Sequence, residues 1–202
     1  MPSTVLLDII TTGGTIGGSP YPDPRHPPPR TDFPEKGNPV EEFLKTEPRG
    51  LAPGDYTLFE FLPVDSKDIG EWHIATIVQR LTENNAPNVL ITHGTDTILN
   101  TAALLHDHPA AKGKRIILVG AMTPLLNGDA SDGYQNLLFA IRHLMSPLDS
   151  TPAGVSIVLS DFGEAPGSWE PRLYPFLPGR YRKEYNCDRG DRSRLVDADQ
   201  FV

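Results

Sequence analysis

Short aliphatic, β-branched runs alternate along this chain with stretches whose apolar positions recur at helical spacing. Val5–Thr11 (VLLDIIT), Val89–Thr92 (VLIT), Arg115–Val119 (RIILV) and Gly154–Leu159 (GVSIVL) are nearly continuous apolar runs. Runs of this length suit strands covered on both faces. Tyr56–Leu62 (YTLFEFL) alternates more and predicts a further strand. Between them, Ile69, His73, Ile77 and Leu81 share one helical face, as do Leu137, Leu138, Ile141, Leu144 and Met145. Ile98 to Leu105 predicts a third, shorter helix. The order is strand, long loop, strand, then helix and strand three times over. That order predicts an α/β fold with a doubly wound, mostly parallel sheet of the Rossmann or flavodoxin kind.

Two segments stand outside this pattern. Ten of the 21 prolines fall between Pro20 and Pro53, where neither a long helix nor a central strand is possible because proline fixes φ and has no N–H. Residues 17–53 therefore read as one long loop, with a short helix over Pro39–Lys45. Loops of this length serve as lids or lie passively on the surface. From Pro166 onward the pattern fades. The expected organisation is one α/β domain over 1–178 and a polar, solvated tail over 179–202.

At 202 residues one domain is the expectation. The formal net charge of −8 disfavours a nucleic-acid partner, since phosphate neutralisation needs an excess of Lys and Arg. Cys187 is the single cysteine, which excludes an intrachain disulfide and a cysteine-based metal cluster. His106 and His108 read as a solvated helix end rather than a metal pair. No stretch approaches the ~20 apolar residues of a membrane span, and Met1–Ile10 lacks the basic start of a signal peptide. A cytoplasmic protein without membrane or nucleic-acid partners is expected.

In open parallel sheets, ligands bind at the carboxyl ends of the strands. The first strand runs into Thr11-Thr12-Gly13-Gly14-Thr15-Ile16-Gly17-Gly18, the second into Asp65-Ser66-Lys67-Asp68, the third into His93-Gly94-Thr95-Asp96-Thr97, and the fourth into Gly120-Ala121-Met122-Thr123-Pro124. The glycine spacing of the first exit fits neither G-x-G-x-x-G nor a phosphate loop. It presents instead a threonine, Thr15, among peptide N–H groups able to stabilise an oxyanion. Thr95 and Asp96 stand at a helix start, and on residue type alone a helix cap is a better reading than a reactive site; the same holds for Ser66 and Asp68.

Taken together, TTGGTIGG, DSKDIG, THGTDT, GAMTP and SDGYQNLLFA, in this order and spacing, resemble the asparaginase/glutaminase family of threonine-dependent amidohydrolases. The resemblance covers about Val5 to Leu159, and this chain looks like a short form without the family's smaller second domain. It implies hydrolysis of the side-chain amide of L-asparagine, and of L-glutamine as a second substrate, to the acid and ammonia without metal or cofactor. A homo-oligomer is expected. Thr15 matches the family's nucleophile, Tyr21 the tyrosine that assists it, and Thr95 with Asp96 the second threonine and the carboxylate that meets the substrate's α-ammonium. Ser66 matches the serine that holds the α-carboxylate, and Gly14 and Gly94 line the same pocket. Two departures stand out. Lys67 replaces a glutamine common after that serine, and Arg172 and Leu173 stand where the family's catalytic lysine is expected, with Lys183 the next lysine along. Two other functions are compatible with the motifs: a binding module that has lost turnover, and an ammonia-releasing subunit of a tRNA-dependent amidotransferase.

Overall fold

The computed structural model describes residues 5–21, 31–46, 51–52, 54–147, 152–162, 169–186 and 192–198. Eight strands lie among them: β1 (Leu7–Gly13), β2 (Tyr56–Val64), β3 (Asn88–Thr92), β4 (Arg115–Val119), β5 (Gly154–Phe162), β6 (Trp169–Pro175), β7 (Tyr181–Asn186) and β8 (Arg192–Asp197). Four α-helices accompany them: α1 (Pro39–Thr46), α2 (Glu71–Glu83), α3 (Ile98–His106) and α4 (Asp132–Leu144). The main sheet has the order β2-β1-β3-β4-β5-β6, with β1 to β5 parallel and β6 antiparallel to β5. This is the doubly wound α/β sheet that the alternation of apolar runs predicts.

Every residue of β1, β3 and β4 is buried, because both faces are covered. Leu7 and Ile9 of β1 face a core shared with α1 and α4, whereas Ile10 faces the core shared with α2 and α3. Helix α4 presents Leu137, Ala140, Ile141 and Leu144 to the first core, the i, i+3, i+4, i+7 stripe of a surface helix. Its first turn is capped by Ser131, whose hydroxyl accepts from the Tyr134 N–H at 3.0 Å. Helix α2 starts two residues later than the apolar stripe suggests: Ile69 lies outside it, and the Gly70 N–H donates to His73 Nδ1. Pro63 is accommodated because β2 is the edge strand and needs no donor on its outer side.

Charged groups are also taken into the sheet. Asp8 is fully buried on β1, and its carboxylate accepts from Arg80 Nε at 2.9 Å and Nη2 at 2.7 Å, so the charge is paired through two hydrogen bonds.

The last part of the chain departs from expectation. Within 179–202, read from the sequence as a polar tail, β7 and β8 form an antiparallel pair. Leu195 and Val196 of β8 are buried, Leu195 in the second core. The chain turns into β7 at Leu177-Pro178-Gly179-Arg180, with the Arg180 N–H donating to the Leu177 carbonyl and Gly179 at φ 76°. Proline followed by glycine at the turn centre fits a type II geometry.

Candidate active site

The strand order reverses direction between β1 and β3. From β1 the chain moves outward to β2, then returns past β1 to β3 and continues to β4 and β5. A crevice at the carboxyl ends of strands is the expected ligand site at such a switch point. The loops leaving β1, β2 and β3 meet there with almost no space between backbones. A Cβ on Gly14, at φ 69°, would run into the backbone of Gly94, and a Cβ on Gly94 would sit 2.5 Å from Ser66 Oγ. These two glycines are needed because side chains would wedge the three exits apart. Thr97 Oγ1 donates to the Ser66 carbonyl at 2.8 Å and Thr12 Oγ1 to the Thr92 carbonyl at 2.6 Å, which locks the exits to one another.

Thr15 opens a 3-10 turn (Thr15–Gly17) directly after β1. The Tyr21 hydroxyl is hydrogen-bonded to the side chains of Thr15 and Thr31, and Thr15 Oγ1 lies 3.5 Å from Thr31 Oγ1. Tyr21 itself is buried, and its backbone is clamped by Asn127: the Tyr21 N–H donates to Asn127 Oδ1, and Asn127 Nδ2 donates back to the Tyr21 carbonyl. Burial pushes the Tyr21 phenol above its ordinary value, against the opposing pull of the Thr15 and Thr31 hydrogen bonds. The phenol therefore keeps its proton at neutral pH. Residues 22–30, 47–50 and 53, which complete the long loop, lie outside the described residues.

Thr95 and Asp96 leave β3 before α3. They do not cap that helix: Thr97 occupies the cap position and makes no side-chain cap hydrogen bond. Asp65, not Ser66 or Asp68, caps the 3-10 turn after β2, accepting from the Lys67 N–H at 3.1 Å. Asp96 instead faces two ammonium groups. Lys183 Nζ donates to Asp96 Oδ1 at 3.0 Å and to Thr95 Oγ1 at 3.4 Å, and Lys67 Nζ lies 3.3 Å from Asp96 Oδ2. Burial alone would raise the Asp96 carboxyl, but Lys183 and Lys67 outweigh it and hold it below the usual carboxylate range.

Of the basic residues left open by the sequence, Arg172 and Lys183, the structure places Lys183 at Thr95. Arg172, on β6, reaches away to Asp161 at 3.1 Å, and Leu173 packs against the first core. The lysine comes from β7, because alternate residues of a strand point to opposite faces and Lys183 takes the one turned toward β3. The sequence did contain a signal for it: the Pro178-Gly179 turn followed by the polar alternation of Tyr181–Asn186.

Two buried groups hold the exits in place. His93 is fully buried, its Nδ1–H donates to the Gly94 carbonyl at 2.8 Å, and its Nε2 accepts from Thr101 Oγ1 at 2.9 Å. That tautomer follows from the carbonyl, which can only accept. Burial lowers the His93 pKa to about 4, so the ring is neutral. Asp132 is likewise buried at the start of α4 and accepts from the Met122 and Thr123 N–H groups, both at 2.8 Å, and from Thr123 Oγ1 at 2.6 Å. A cavity of about 310 Å³ between Thr11, Phe33, Asn38, Glu60 and Phe61 lies on the α1 side and is lined by none of Thr15, Thr95 or Asp96. Elsewhere, His106 packs edge-on against Phe176, and the His108 ring accepts from the Ala110 N–H.

The exits of β1 and β3 thus carry two hydroxyl clusters on a doubly wound α/β sheet, Thr15 with Tyr21 on one and Thr95 with Asp96 and Lys183 on the other. The sequence matches the family described as Asparaginase, N-terminal, over residues 6–166, and the chain belongs to that family. It is 28% identical over 157 residues to the glutaminase-asparaginase of Acinetobacter glutaminasificans, covering 76% of this chain and 45% of that protein. The crystal structure of L-asparaginase I from Vibrio cholerae O1 biovar eltor superposes with a TM-score of 0.64 at 26% identity, over 95% of this chain and 50% of that one. A probable cytoplasmic L-asparaginase from Campylobacter jejuni superposes with a TM-score of 0.60 at 26% identity, over 75% and 44% of the two chains. The chain thus spans about half the length of these relatives. Among the described residues, no helix is long and apolar enough to cross a membrane.

Proposed function

We propose that the protein hydrolyses the side-chain amide of L-asparagine to L-aspartate and ammonia, with Thr15 as nucleophile. The observation that carries this function is the Lys183 ammonium bridging Thr95 Oγ1 and Asp96 Oδ1 at the exit of β3. It equips one of two reactive hydroxyls with a proton-handling partner. The other, on Thr15, is met by the Tyr21 phenol. A free threonine hydroxyl is a weak nucleophile and needs such neighbours.

In this mechanism Thr15 Oγ1 attacks the amide carbon, and the negative charge on the carbonyl oxygen is met by N–H groups at the start of the 3-10 turn. The N–H groups of Thr15 and Ile16 are suited to this, since the turn's own bonding begins with the Gly17 N–H donating to the Gly14 carbonyl. Tyr21 orients the Thr15 hydroxyl and, keeping its own proton, guides transfer rather than acting as a standing phenolate. The C–N bond breaks, the nitrogen leaves as ammonia, and water attacks the threonine ester to release the acid. The Thr95–Lys183–Asp96 cluster delivers and recovers the proton and orders that water. Ser66, pressed against Gly94, receives the substrate's carboxylate. The name of the Acinetobacter relative supports L-glutamine as a second substrate, and that of the Campylobacter neighbour supports a cytoplasmic location.

Ammonia release from L-asparagine and from L-glutamine by the purified full chain tests this function. Release from neither, with either amino acid bound, would leave an amino-acid-binding protein instead.

A further inference from the structure

Asp96 is a single carboxylate with an ammonium on each oxygen. Lys183 is only 10% exposed at its side chain and is held by Thr95 as well, so it is fixed in the site. Lys67 is 58% exposed, and the contact that draws it inward is Asp96 Oδ2. Its backbone is pinned, since the Lys67 N–H donates to Asp65 Oδ1 in the turn that also carries Ser66. Lys67 is therefore a tethered cation at the rim of the hydroxyl cluster. A ligand whose own ammonium approached Asp96 would be the third cation on one carboxylate. It would have to displace Lys67 from Asp96 Oδ2 or remain beside it at like-charge distance. Asp65 offers partial relief, but one of its oxygens already serves the turn. A ligand with a carboxylate and no ammonium meets the opposite balance and gains Lys67 as a partner.

We propose that Lys67 is a specificity-determining residue that turns the site toward ω-monoamides of dicarboxylic acids lacking an α-amino group. This rests on the amidohydrolase function above and ranks such amides above L-asparagine as substrates of the same site. The reaction is the same hydrolysis: a C–N bond breaks, a C–O bond forms from water, and ammonia and a dicarboxylate leave. Specificity of this kind comes as much from the repelled ligand as from the attracted one.

Titration calorimetry with succinate and L-aspartate, which differ by one ammonium group, reads the effect on the full chain without requiring turnover. The parent protein should bind succinate more tightly than L-aspartate. Lys67→Gln should shift the ratio of the two dissociation constants toward L-aspartate by about tenfold, a size set by one partly exposed charge pair. Lys67→Arg, which keeps the charge, should retain the parent ratio. A ratio within about twofold of the parent in Lys67→Gln, or a parent that fails to bind succinate, overturns the proposal. Ammonia release from succinamate and from L-asparagine is measured alongside. Absence of both with the binding ratio intact counts against hydrolysis alone, whereas hydrolysis with an unchanged ratio counts against Lys67 alone.

Discussion

Lys183 Nζ lies 3.4 Å from Thr95 Oγ1, across 88 positions of sequence, and this contact joins the β7–β8 pair to the exit of β3. It makes the last described strands part of the site. Lys183→Met should lower kcat by about 10²–10⁴-fold, the usual contribution of a positioned acid or base, while the far-ultraviolet circular dichroism stays unchanged. Arg172→Ala should leave kcat near the parent value, because its guanidinium pairs with Asp161. Leu173→Lys should bring no gain and lower stability, since it would place a charge against the first core.

The folding pattern up to Leu159 was legible because strands buried on both faces must be largely apolar, and β1, β3, β4 and the first part of β5 are, with the buried Asp8 tolerated because Arg80 pairs it. The convergence of the loops that carry Thr15, Ser66 and Thr95 was legible too, because strand exits at a switch point converge whatever their residues, and Gly94 abuts both Gly14 and Ser66. The strands β6 to β8 were not. They are antiparallel, and Pro171, Arg172 and Arg182 interrupt any apolar run, so the core contacts of Leu173, Tyr174, Tyr181 and Leu195 stand isolated in the sequence. Lys183 was hidden for the same reason. A lysine's role depends on which face of a strand it takes, and a strand that cannot be seen assigns no face. The alternation after Pro178-Gly179 carried the needed information, weakly.

Thr95→Val and Asp96→Asn should differ in kind. Removing the hydroxyl takes a group from the chemistry and should lower kcat. Removing the charge weakens the grip on the substrate's ammonium while Thr95 still holds Lys183, and should chiefly raise KM. Steady-state kinetics on both variants separates these effects; a fall in melting temperature alone, with parent kinetics, would return the two residues to a structural role.

His93 makes stability depend on pH in a defined window. Its folded pKa of about 4 lies below the unfolded value near 6.5, so the unfolded chain takes up the proton first. The contribution is fully present above pH 6.5 and is lost as pH falls toward 4, amounting to roughly 3 kcal/mol at the lower end. Urea unfolding at pH 7 and pH 4.5 should show this loss, and His93→Gln should flatten its share of the slope.

Asp132 holds the exit of β4 through the Met122 and Thr123 backbone. Asp132→Ala should cost about 3 kcal/mol, since it strands the buried N–H and hydroxyl of Thr123 and the partly buried Met122 N–H. Denaturant midpoints check this, with the slope unchanged if the transition stays two-state.

In the proposed reaction the Thr15 hydroxyl attacks the amide carbon. The most direct measurement is ammonia release from L-asparagine by Thr15→Ala beside the parent, on matched, folded protein. The mechanism predicts release by the parent and loss of essentially all of it in the variant, with L-aspartate still bound. Hydrolysis by Thr15→Ala at the parent rate would contradict it.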